Sequence, residues 1–170
     1  MPAKWTRLHE ERRERILAIM SRDARAFPDM SAEAVDARRR LPRSQWYHAY
    51  LPHWFSCEDA PGHAEADARS NIVGTIVAED WGREMAKTTR YSIADLLYDI
   101  CNETHVCHLA SGEWRLLTQW EREGRSDLRE CVPLDFIWVL GKSHDKAAER
   151  MDLIRLELRR NERLRGDYDG

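Results

Sequence analysis

Two apolar runs constrain this chain more than anything else in it. "NIVGTIVAED" (71–80) and "DFIWVLG" (135–141) lack the alternation of a half-exposed strand, so each is predicted to form a strand covered on both faces. A helix is predicted between them, from about Thr88 to Cys101, with Ile93, Leu96, Leu97 and Ile100 on one face. Another follows the second run over 144–165, capped by Ser143, with a core stripe of Ala147, Met151, Ile154 and Leu158. Alternating strand and helix imply βαβ connections and a parallel sheet. The expected class is α/β, helix-rich overall, although two strands are too few to hold such a sheet alone.

The first part reads as a helical lead, residues 1–55. Trp5, Leu8, Ile16, Ile19, Met20 and Phe27 fall on one stripe of a helix over 4–27 that Pro28 ends. Ser31 can cap a second, short helix carrying Ala32, Ala34, Val35 and Ala37, which must stop near Pro42. The aromatic segment "SQWYHAYLPHWF" follows. Residues 56–71 are loop-like around Pro61-Gly62. Within 102–133, "SGEWRLLTQWERE" reads as helical between irregular segments that end at Pro133.

The length, 170 residues, suits one ordinary domain, and the formal charge of −3 gives no overall basic field. Two local clusters stand out: Arg38, Arg39, Arg40 and Arg43, and Arg159, Arg160, Arg163 and Arg165. Each is either a solvated helix face or a local DNA contact. No run is apolar enough to span a bilayer, and the charged N-terminus holds no signal-peptide core. The expected location is the cytoplasm, with no membrane partner and the four cysteines as reduced thiols. "CNETHVCH" gathers Cys101, His105, Cys107 and His108, a zinc-compatible set at a spacing unlike a finger. Cys57 and Cys131 could lend thiolates, but spacing places neither nearby. Structural thiols without zinc are expected.

Between strand and helix lies "GREMAKTT": Gly82, Arg83, Glu84, Met85, Ala86, Lys87, Thr88 and Thr89. A phosphate-binding loop reads G-x-x-x-x-G-K-[ST], and Ala86 stands where its second glycine belongs. The setting is the one such a loop needs. A strand delivers the chain to a tight turn, and a helix starts at once, so its unpaired N–H groups and positive dipole end face the phosphate. Lys87 would meet the β- and γ-phosphates of ATP, and the Thr88 hydroxyl would ligate Mg²⁺. The alternative is a chance Lys-Thr pair on an amphipathic helix.

Taken together, "YLPHWF", "PGHAEAD", "GREMAKTT" leading into "SIADLLYDIC", and "DFIWVLGKSHDKAAERMDLIRLELRRNERLRGDY" resemble the N-terminal part of the ATPase domain of phage terminase large subunits. The resemblance covers about residues 46–168. In that family the loop often runs Pro-Arg-x-x-(Gly/Ala)-Lys-(Ser/Thr)-Thr, which accommodates Ala86. Glu157, Leu158, Asn161 and Leu164 match a Glu-Leu-x-x-Asn-x-x-Leu rhythm. The implied domain is a partial P-loop ATPase over 56–170, with a parallel sheet and an insertion at 102–133 where the family has a short connection.

The resemblance implies further roles. Lys87 holds phosphate, Thr88 binds magnesium, and Arg83 acts on the γ-phosphate as an arginine finger in cis; otherwise Arg83 is a surface or capping arginine. Trp46, Tyr47 and Tyr50 either flank an adenine or belong to the core. The implied reaction is ATP hydrolysis that drives double-stranded DNA into procapsids. The implied partners are the portal and the small terminase subunit, in a ring homo-oligomer. Asp135 precedes its strand and Asp145 falls beyond it, so no acidic strand end follows the loop. The 170 residues alone are therefore expected not to turn over ATP. Two rival readings stay open. One is a truncated terminase-like protein that binds nucleotide or a motor partner without turnover. The other is a helical interaction protein with no nucleotide site.

Overall fold

The computed structural model describes residues 27, 29–55, 71–73, 93–134 and 144–169. The expected helix over 4–27 lies outside these but for Phe27. So do the loop 82–89, the strand segments 74–78 and 135–141, and the cap Ser143.

The helical lead follows its sequence signals. Helix α1 spans Ala32–Arg39, and the Ser31 hydroxyl accepts from the Ala34 N–H at 3.3 Å. Pro42 then opens α2, Arg43–Tyr50. Its buried residues, Arg43, Trp46, Tyr47 and Tyr50, recur at the three-and-four spacing of a single helix face. A π-type turn at Ile93–Ala94 leads into α3, Asp95–Cys101. Ile93 and Leu97 are buried there, whereas Ile100, expected on the same face, is 46% exposed. The buried face is shifted rather than kept: Ile93, Ala94, Leu97 and Tyr98 are buried, so it turns toward 94 and 98 and away from 100.

The predicted helix over 144–165 is two helices, α5 (His144–Arg160) and α6 (Glu162–Tyr168). Asn161 makes the break. Its side-chain oxygen accepts from the backbone N–H groups of Arg163 and Leu164, so it caps α6 instead of continuing α5.

The 102–133 region is a small antiparallel sheet. Strands β1 (His105–Leu109), β2 (Trp114–Leu117) and β3 (Leu128–Pro133) lie in the order β2-β1-β3. Trp114–Leu117 was expected to be helical and is extended. Its residues pair across to β1, His108 with Trp114 and Val106 with Leu116. The helix begins only at α4 (Gln119–Arg122), behind a capping box: the Thr118 hydroxyl accepts from Glu121 N–H, and the Glu121 carboxylate accepts from Thr118 N–H. Asn71–Val73 run along the far edge of β2, with Ile72 bridged antiparallel to Arg115. The chain is thus mixed helix and sheet, and its described sheet is antiparallel. No parallel pairing occurs among the described residues.

Two apolar clusters result. The larger joins α2, α3, α5 and α6 through Trp46, Tyr47, Tyr50, Leu97, Tyr98, Ile154 and Leu164. The smaller lies on one face of the sheet, with Cys107, Leu109 and Leu117 buried against Leu128 and Cys131. Trp120 on α4 packs against the larger cluster and anchors the sheet beside it.

Candidate functional site

The predicted phosphate loop, Gly82, Arg83, Glu84, Met85, Ala86, Lys87, Thr88 and Thr89, lies outside the described residues. What surrounds α3, the helix the loop would feed, is a set of buried polar contacts that clamp it and its neighbours.

The first set joins the end of α2 to the junction of α5 and α6. Glu157 and Asn161 are one helical turn apart and both buried. One Glu157 carboxylate oxygen accepts from the Trp54 indole N–H at 2.8 Å and lies 2.6 Å from His53 Nε2. The separation at His53 requires a proton between the two atoms. The other oxygen accepts from Asn161 Nδ2 at 2.9 Å, and Nδ2 also donates to the Tyr50 carbonyl at 2.7 Å.

The second set holds α3. Arg43 reaches Asp95 at 3.1 Å and Asp99 at 2.9 Å, and its guanidinium stands 4.5 Å over the Tyr98 ring. Its pKa is raised: burial works against the charge, but Tyr47, Asp99 and Asp95 outweigh it. The Tyr47 hydroxyl donates to Asp95, and the Thr104 hydroxyl donates to Asp99 at 3.0 Å. A third set seats α6 on α1 and α2. Arg38 grips both oxygens of Asp167 at 2.8 Å, and the Tyr50 hydroxyl donates to the same carboxylate at 2.6 Å. Burial, followed by that hydrogen bond, pushes the Tyr50 phenol pKa upward.

Each carboxylate in these sets accepts from at least two donors, so the arrangement fixes the positions of the helices. Arg38 and Arg43, expected on a solvated or DNA-contacting face, are committed to interior ion pairs. Arg39 stacks over Tyr168 at 4.8 Å, and Arg40 bridges Asp36 and Glu123. Arg39, Arg40, Asp36 and Glu123 line a polar cavity of about 180 Å³ with Asn102, Gln119 and Trp120. Trp46, Tyr47 and Tyr50 are fully buried, the core alternative of their two readings. Asp145 is exposed in the first turn of α5, and Asp135 lies outside the described residues. His53 and Trp54 meet Glu157 across 103–104 residues of sequence, a contact that local spacing does not announce.

The Cys101–His108 set does not converge. Along β1 successive side chains alternate faces, so Cys107 points into the small cluster while His108 lies on the other side, stacked on Trp114 at 4.6 Å. His105 Nδ1 contacts the Glu103 carbonyl at 2.8 Å. Among the described residues no group of three His, Cys, Asp or Glu is placed to hold a metal ion.

The expectation of four reduced thiols is corrected: Cys107 and Cys131 form a disulfide. The pairing depends on strand register, which sets these residues directly opposite each other. Cys101 is a free thiol whose pKa burial pushes up to about 12. Among the described residues no helix is long and apolar enough to cross a membrane. No family model matches this sequence, and neither the curated proteins nor the solved structures include a match to it.

Proposed function

We propose that this chain is the ATP-binding N-terminal portion of an ATPase domain of the phage terminase large-subunit type. In this reading the loop 82–89 lies between a parallel-sheet strand and the helix that ends in α3. Lys87 holds the β- and γ-phosphates, Thr88 ligates Mg²⁺, and Arg83 neutralises charge on the γ-phosphate. ATP supplies the phosphoryl group whose transfer to water powers DNA movement in the whole motor, where double-stranded DNA, the portal and the small subunit are the partners.

The observation that supports this reading is a meeting of two quoted segments. "YLPHWF" and the Glu157-to-Asn161 rhythm, 111 residues apart at Tyr50 and Asn161, are joined by buried hydrogen bonds. The reading takes this contact as the packing reason for both segments.

The test is thermal unfolding with and without ATP·Mg²⁺. At about a hundredfold excess over the dissociation constant, binding adds about 2.7 kcal/mol to stability, and Lys87→Ala should abolish the gain. A cooperative wild-type transition that does not move at millimolar ATP would refute the nucleotide site and favour a helical interaction protein. Binding without phosphate release would select the non-hydrolysing reading.

A further inference from the structure

The disulfide joins two sulfurs in unequal settings. Cys107 lies on the central strand β1, is 0% exposed, and is enclosed by Leu109, Leu117 and Leu128. Cys131 lies on β3, which has no further strand on its outer side among the described residues, and is partly exposed. Thiol–disulfide exchange needs the attacking sulfur to approach along the S–S axis, on the far side of the sulfur attacked. Approach to Cys107 would have to cross the apolar cluster. Approach to the partly exposed Cys131 comes from the outer side of β3, where no further strand lies among the described residues.

We propose that Cys131 is a reversible modification site for low-molecular-weight thiols and disulfides of the glutathione type, with Cys107 as its resolving thiol. In the reducing direction, a small thiolate attacks Cys131 Sγ. A mixed disulfide forms there, and the S–S electron pair leaves on Cys107, which takes a proton from water. A second small thiolate attacks the sulfur of the first small thiol, releasing Cys131 and a small disulfide. Oxidation by that small disulfide is the same path reversed: Cys131 thiolate captures one half, Cys107 thiolate displaces it, and two small thiols are released. Cys101 does not compete, because burial holds it as a thiol through the neutral range. The ratio of small thiol to small disulfide thereby opens or closes the covalent tie between β1 and β3.

The experiment uses the whole chain. Oxidised protein is pulsed with reduced glutathione, quenched in acid and peptide-mapped, which separates Cys131 from Cys57, Cys101 and Cys107. The expected product carries glutathione on Cys131 with Cys107 free, at least about tenfold over the reverse arrangement. Reduced C107A treated with oxidised glutathione should keep its adduct on Cys131. Reduced C131A should gain one on Cys107 only in urea. Circular dichroism checks that both variants fold, and the wild-type trapping needs neither. An adduct on Cys107 in the folded wild-type protein would overturn the proposal. So would an even split between the two cysteines, or a folded protein whose two thiols both stay free in oxidised glutathione.

Discussion

Replacing Glu157 with alanine tests the buried contacts between α2 and the α5–α6 junction. Its carboxylate is 1% exposed and serves three partners, His53 at 2.6 Å, Trp54 at 2.8 Å and Asn161 at 2.9 Å. In Glu157→Ala the Asn161 amide keeps its bond to the Tyr50 carbonyl. Among the described residues neither His53 Nε2 nor the Trp54 N–H has such a second partner, and each buried orphan costs about 1–3 kcal/mol. Removing one partner from a buried charged contact of this kind costs about 3–5 kcal/mol, a large share of the stability of an ordinary domain. Glu157→Gln keeps one acceptor oxygen but sets an NH₂ against a neighbouring donor, so its cost should fall between alanine and wild type. Urea unfolding at neutral pH, followed by tryptophan fluorescence, measures the order. A double-mutant cycle of Glu157→Ala with Trp54→Phe should give a coupling of about 1.5–3 kcal/mol, the range for a hydrogen bond to a charged group. If Glu157→Ala stays within about 0.5 kcal/mol of wild type, as a surface substitution would, the network does not hold these helices together.

Reducing the Cys107–Cys131 bond, which spans a sequence separation of 24, should lower stability by about 3.5 kcal/mol on loop-entropy grounds, read as a shift in urea midpoint with and without dithiothreitol. Gly112 adopts φ +92° in the β1–β2 turn with open space around it, so Gly112→Ala should cost about 1–2 kcal/mol from backbone conformation alone, whereas an unchanged midpoint would deny that conformation. In alkali the sign is fixed by burial, which holds the Cys101 thiol and the Tyr168 phenol protonated up to about 12 against ordinary values of 9.0 and 10.0. Their stabilisation is complete below pH 9 and is lost between 9 and 12, where the unfolded chain has already released those protons. Stability should fall there by up to about 1.4 kcal/mol per pH unit for each group, and Cys101→Ala should delay the onset toward pH 10. The ATP·Mg²⁺ shift and its loss in Lys87→Ala complete the set.

The legible parts of the fold were those governed by local chemistry. Ser31 announces α1 and Pro42 ends it, because a cap and a proline act within one turn. "EWRLLTQWERE" misled, since its apolar positions fit a helix loosely; the T-x-x-E box at Thr118–Glu121 was the sign that the helix starts later. The break at Asn161 was hidden for a similar reason, as asparagine interrupts a helix only when something rewards its side chain, and the Tyr50 carbonyl and Glu157 do so here. The disulfide could not be read at all, because register across β1 and β3 is a long-range property. As for the clamp around α3, the arginine cluster looked like a surface face. Only the arrival of Asp95, Asp99 and Asp167 from distant segments turned Arg38 and Arg43 inward.

The first and last strands of the small sheet are neighbours. His105 sits opposite Pro133, and the Leu134 N–H donates to the Thr104 carbonyl at 3.2 Å. The path therefore departs from α3 and returns within one strand spacing of where it left. At its neck the excursion has the footprint of a tight turn, while Trp120 and the pairing with Asn71–Val73 tie its body to the rest of the chain. Loop-closure entropy grows only with the logarithm of length, about 0.6 kcal/mol per doubling, and a sheet that closes its own neck does not pass even that strain to its surroundings. Such a position behaves like a socket. A shorter turn, a longer sheet or an unrelated small domain with adjacent ends could join Thr104 to Leu134 at the same separation, losing only the contacts made by Trp120 and the β2 edge.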